Sequence, residues 1–108
     1  MDVVIEQFTI YLVRLDPTVG REMKKIRPCL VISPDELNRH LQTALVAPLT
    51  TAEKEFVSRV SCAFAGKRGQ IALGQIRCAD HARFIKRLGR LEMTTCLEVL
   101  ETLQAMFR

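Results

Sequence analysis

Apolar positions along the chain fall into a succession of short runs, most of them too brief for a helix. Phe8–Leu15 (Phe-Thr-Ile-Tyr-Leu-Val-Arg-Leu) is rich in β-branched and aromatic residues and predicts a first strand, stopped by Asp16-Pro17. A polar connection from Asp16 to Ile26 follows, carrying Pro17, Gly20, Arg21, Glu22, Lys24 and Lys25. A loop of that length in a small domain is commonly functional. Cys29–Ile32, set between Arg27-Pro28 and Ser33-Pro34, predicts a second strand, and Ser33–Asn38 suits a turn and a short helix. Thr43–Leu49 predicts a third strand, with Pro48 near its end, where a missing N–H is tolerated. Phe56–Phe64 predicts a fourth strand, Gly66–Gly69 a turn and Gln70–Ile76 a fifth. Asp80 is placed to cap a short helix over Ala82–Ile85, ahead of a brief strand near Leu88–Leu91. Only the last segment has a clear helical period: Cys96, Val99, Leu100, Leu103, Met106 and Phe107 form one face, with Glu98, Glu101 and Gln104 opposite. Five or six short strands and one terminal helix predict a compact, mostly β barrel with helical decoration.

Composition narrows the class more than the function. At 108 residues, 48% hydrophobic and 26% charged, the chain is expected to fold as one domain over 1–108, which excludes disorder and large multidomain machinery. No apolar run approaches the roughly 20 residues that cross a bilayer. Asp2 and Glu6 stand where a secretory signal would carry bases, so a soluble, cytoplasmic protein is expected. Cys29, Cys62, Cys78 and Cys96 are widely spaced, and His40 and His81 are the only histidines. That pattern fits free thiols better than a zinc site or a disulfide framework, so neither metal nor cofactor is expected.

Charge is unevenly distributed. Lys54–Arg90 holds nine bases against Glu55 and Asp80, a net +7, which leaves −3 for the remainder of a chain whose total is +4. Such clustering suits a polyphosphate backbone, although a basic run is as often a solvated face. Arginine outnumbers lysine eleven to five, which favours bidentate contacts to phosphate or carboxylate. With one Tyr, five Phe and no Trp, a base-stacking platform is not evident.

Five segments carry a further pattern: Asp16-Pro17-Thr18-Val19-Gly20-Arg21-Glu22; Arg27-Pro28-Cys29-Leu30-Val31-Ile32-Ser33-Pro34; Ala47-Pro48-Leu49-Thr50; Gln75-Ile76-Arg77; and Arg87-Leu88-Gly89. In this order and at these spacings they resemble the MazF/PemK toxin family, over about Ile10 to Phe107. The resemblance implies an SH3-like barrel of the CcdB/MazF/PemK type with short helices and a C-terminal α-helix. It also implies a homodimeric, metal-independent endoribonuclease toxin of a type II toxin–antitoxin system, inhibited by a small acidic antitoxin. DNA would be met only through the antitoxin complex, and no membrane is involved. Family members cut single-stranded RNA by attack of the ribose 2′-OH, leaving a 2′,3′-cyclic phosphate and a 5′-OH.

That reaction needs a group to take the 2′-proton, donors for the phosphorane oxygens and a proton source for the 5′-oxygen. Arg27 matches the family's catalytic arginine, and its forked, permanently charged guanidinium suits phosphorane stabilisation. Thr50 matches an active-site threonine able to donate a hydroxyl bond to the same phosphate. Glu22 falls on the family's loop glutamate, as a base or as a group orienting Arg27. Gln75 and Arg77 match groove-flanking positions, and Arg21, Lys24, Lys25, Thr51 and Lys54 complete the candidate RNA contacts. Two departures stand out. Gly74 replaces a frequent Asp and Ala72 an arginine used by part of the family, so a mechanism resting on that pair is closed to this chain. Phe8-Thr9 replaces the usual Gly-Asp at the first strand, with packing or the dimer edge the expected place of its effect. Two other readings fit parts of the pattern: a non-catalytic, CcdB-like gyrase poison, and an inactive nucleic-acid- or protein-binding barrel.

Overall fold

A computed structural model describes residues 4–15 and 26–108. Glu22, Arg21, Lys24 and Lys25 therefore lie outside the described residues. Seven strands occur among the described residues: β1 (Thr9–Arg14), β2 (Ile26–Val31), β3 (Thr43–Thr50), β4 (Arg59–Phe64), β5 (Lys67–Ala72), β6 (Arg77–Asp80) and β7 (Phe84–Arg90). Helix α1 (Asp35–His40) precedes β3, and helix α2 (Met93–Met106) closes the chain. The strands form one curled antiparallel sheet in the order β4-β5-β3-β2-β1-β7, with β6 also on β3.

Strand β3 organises the curl. One side pairs with β2 through Val46, Ala47 and Pro48. The other side changes partner along its length, from β6 at Thr43–Val46 to β5 at Leu49–Thr50. Pro48, which has no N–H for a ladder, falls at this handover.

The central residues of β1, β2 and β3 are buried on both faces, which explains why these strands read as nearly continuous apolar runs. Alternate side chains enter two separate cores. Tyr11, Val13, Cys29, Val31, Ala44 and Val46 pack with Phe84 on one face. Ile10, Leu30, Ala47, Val60 and Ile71 pack with Cys96 and Val99 of α2 on the other. The Tyr11 hydroxyl donates to the Val4 carbonyl at 3.0 Å and accepts from the Glu6 N–H at 2.9 Å, tying the N-terminal segment to the first core.

Several expectations change. The second strand begins at Ile26 rather than Cys29, because Arg27 and Pro28 continue the pairing with Val13 and Leu12 on β1. Over that extension β2 has no β3 partner, the edge setting that a proline tolerates. The turn after β4 is only Ala65-Gly66, with φ of 54° and 76°, the positive pair that a two-residue hairpin needs. Lys67, Arg68 and Gly69 consequently belong to β5. Finally, Gln70–Ile76 is not one strand: a 3-10 turn over Leu73–Gln75 offsets β5 from β6 so that both can pair β3. Leu73 is buried in that turn and its N–H bonds to the Ser58 carbonyl at 2.9 Å, so the apolar run conceals the break. The short helix capped by Asp80 is a 3-10 turn over His81–Arg83, where the carboxylate accepts from the Ala82 N–H at 2.8 Å.

Candidate functional site

A groove of about 420 Å³ opens where β2, the end of β3 and the β4–β5 hairpin meet. Arg27 and Pro28 of β2 line it, with Leu49, Thr50 and Thr51 at the end of β3. Cys62, Phe64, Lys67, Arg68 and Gly69 supply the hairpin side, with Leu88 from β7. Three cations and no carboxylate line it, so it is built for an anion bearing apolar parts.

Thr50 is fixed by its neighbours. Its backbone is in register with Gln70, and its Oγ1 accepts from the Ala52 N–H at 3.1 Å. With an acceptor lone pair engaged, the hydroxyl hydrogen is left to donate elsewhere. Gly69 makes the approach of β5 possible: a Cβ there would lie 2.7 Å from the Thr50 carbonyl oxygen, a backbone atom that cannot easily move.

Arg27 is exposed on β2, and its guanidinium acts electrostatically on the thiol of Cys29. Burial pushes that thiol up to about 12, against the opposing pull of Arg77 and then of Arg27. Burial also raises Cys62, the thiol lining the groove.

The segment after Thr50 has its own lock. Gln70, buried in β5, accepts from the Lys54 N–H at 3.0 Å and donates to the Lys54 carbonyl at 3.2 Å. Arg59 donates to Gln70 Oε1 at 3.2 Å and to the Ala52 carbonyl at 2.9 Å, while its guanidinium lies 5.9 Å from the Phe56 ring centroid.

Of the candidates, the fold brings Arg27, Thr50 and Thr51 to one groove. Lys54 lies in the locked segment outside the lining. Gln75 and Arg77, both half-buried, lie on the 3-10 turn and the start of β6, also outside it. His40 and His81 lie away from the groove, the latter edge-on to Phe84. Among the described residues no group of three His, Cys, Asp or Glu could hold a metal ion. Lys67 and Arg68, which line the groove, and Arg59 and Gln70, which lock the segment beside it, are not among the candidates that the sequence singles out. A buried amide inside the apolar run Gln70–Leu73 was the available signal, since buried polar side chains need partners.

Residues 6–107 match the family model for a PemK-like, MazF-like toxin of type II toxin–antitoxin systems. The chain belongs to this family. Among curated proteins it is 36% identical to endoribonuclease PemK of Escherichia coli, over 89% of this chain and 77% of that protein. It is 31% identical to endoribonuclease EndoA of Bacillus subtilis strain 168, over 94% and 92% respectively. Its fold is similar to that of MazF from Deinococcus radiodurans, with a TM-score of 0.85 at 23% identity over 97% of each chain. A mycobacterial endoribonuclease in complex with its cognate antitoxin is also similar, with a TM-score of 0.79 at 18% identity over 94% of this chain and 92% of that one. Within this PemK/MazF frame, Gly74 lies against Ser58, where a Cβ would come 3.1 Å from the Ser58 hydroxyl.

Proposed function

We propose that the chain is the RNA-cutting toxin of a toxin–antitoxin pair, and that the cationic groove is where single-stranded RNA is cleaved. The observation carrying this reading is the meeting of Arg27 and Thr50, from separate strands, on one groove that contains no carboxylate. As the family resemblance implies, the ribose 2′-oxygen gives up its proton and attacks the adjacent phosphorus, the P–O5′ bond breaks, and the departing 5′-oxygen takes up a proton, so that a 2′,3′-cyclic phosphate and a 5′-OH remain. No metal is required in this scheme. The Arg27 guanidinium neutralises the charge that builds on the non-bridging oxygens, where a fixed donor acts most strongly. Thr50 donates its free hydroxyl hydrogen to the same phosphate. Glu22 takes the 2′-proton or orients Arg27. Arg21, Lys24, Lys25, Thr51, Lys54, Gln75 and Arg77 contact the RNA, two copies of the chain form the working unit, and a small acidic antitoxin occupies the same cationic surface in the cytoplasm. Contact with DNA comes only through that complex.

Mapping cut sites and end chemistry on a long unstructured RNA, with excess EDTA, tests the reading. Discrete cuts with 5′-OH ends are expected, and Arg27→Ala should lower kcat by about 10²-fold or more. Equal activity of wild type and Arg27→Ala would remove Arg27 from the mechanism. Binding across several RNAs without turnover would instead favour an inactive barrel.

A further inference from the structure

Beside the main groove lies a second cleft of about 240 Å³, lined by Glu53, Ser61, Cys62, Ala63, Arg68, Gly69 and Thr95. Cys62, Arg68 and Gly69 line both, so the two spaces adjoin along β4 and β5. Glu53 brings a carboxylate to an otherwise cationic path. Among the described residues neither its carboxylate nor the Arg68 guanidinium has a hydrogen-bond or ion-pair partner. A carboxylate there repels phosphate, so its presence weakens general backbone binding and calls for another explanation.

Its placement supplies one. The residues on either side of Glu53 are held through their backbones: Ala52 by Thr50 and Arg59, Lys54 by both ends of the Gln70 amide. Glu53 therefore stands on a locked main chain, at a fixed offset from Thr50, with its own side chain uncommitted. A rigidly mounted acceptor beside a phosphate-binding groove suits the reading of a base edge. Carboxylates accept from amino groups such as cytosine N4, whereas uracil presents carbonyl oxygens on both sides of its single N–H.

We propose that Glu53 is a specificity-determining residue that selects a base bearing an exocyclic amino group, over uracil, at one position of the bound RNA. Gln70 and Arg59 act as positioning residues for it. The proposal rests on RNA being the ligand of the adjoining groove, and its test separates the two ideas.

Binding is measured with 2′-O-methyl oligouridines that carry a single cytidine at each position in turn, which cannot be cut by 2′-OH attack. Wild type should bind one register about tenfold more tightly than oligouridine. Glu53→Ala should abolish that preference, and Glu53→Lys should turn it towards uridine, a reversal that structural damage alone would not produce. Gln70→Leu, which releases the main chain on which Glu53 stands, should lower the ratio of the two affinities. A preference that survives in both Glu53 variants, or its absence in wild type that binds these oligomers, overturns the proposal. Base-selective binding that depends on Glu53, in a protein that cuts no RNA, would overturn the endoribonuclease reading alone. No binding of any oligomer would overturn the proposal, and the same result in a protein that cuts no long RNA would overturn the endoribonuclease reading as well.

Discussion

Cys29 shows how far one residue's behaviour depends on what surrounds it. In sequence it is one apolar position in the run Cys29–Ile32. In the fold it is fully buried, next to the fields of two arginines, and burial wins: the thiol rises from its ordinary 9.0 to about 12. Between those values the unfolded chain loses a proton that the folded chain keeps. The contribution is therefore intact below pH 9 and is lost as pH climbs towards 12. Urea midpoints should fall as pH rises above 9, and the fall should be shallower in Cys29→Ala, since Cys62 and Cys96 are raised in the same direction and remain. Phe8 makes a related point. Its φ of 62° is the left-handed conformation that glycine adopts freely, and this is the position where family members have Gly. Phe8 holds it through bonds from its N–H to the Val31 carbonyl and from the Leu91 N–H to its own carbonyl, and its ring joins the second core. The residue type alone disclosed neither the backbone angle nor what compensates for it.

At the scale of elements, α2 was the most legible part of the chain, yet its apolar face is only partly used. Cys96 and Val99 are buried, and Leu103 and Met106 pack at the edge of the second core. Leu100 is 38% exposed and Phe107 76%, although the helical period places them on the same stripe. The stripe is wider than the single curled sheet can cover. Val99→Ala should cost about 2 kcal/mol in urea unfolding, while Leu100→Ala should cost well under half of that. A Leu100→Ala penalty that grows with protein concentration would show a second copy covering this face. The strands divide differently. β1 and β3 were clear from β-branched content, whereas the break between β5 and β6 was hidden because Leu73 stays buried through the turn. The sequence predicts a turn over Gly66–Gly69, but the hairpin turns at Ala65-Gly66, and Gly69 meets a close backbone approach rather than a turn.

For the molecule as a whole, the uneven charge becomes a placed charge. Of the basic excess in Lys54–Arg90, Lys67 and Arg68 reach the groove, and Arg27 joins them from outside that stretch. A single-stranded ligand held by such cations releases counterions, and each phosphate contact contributes about −0.7 to the slope of log K against log salt. Fluorescence anisotropy with a labelled RNA across a salt series should therefore show a steep slope in wild type. Lys67→Ala should make it shallower by about that amount, with affinity lost similarly for all sequences. An unchanged slope would place Lys67 outside the backbone grip.

Much of this protein was decided by sequence alone. Local β-propensity and the terminal helical period dictate a small, mostly β domain, because runs this short can be satisfied only by strands packed on one another. The ordered segments around Arg27, Thr50 and Gln75 identify the family, since each needs particular residue types at particular spacing. Tertiary structure decided the rest, for two physical reasons. Partner exchange along β3 determines which distant residues become neighbours, and so brings Arg27 and Thr50 to one groove. Side-chain hydrogen bonds determine which loop is held, and so Gln70 and Arg59, inconspicuous in the chain, fix the backbone on either side of Glu53.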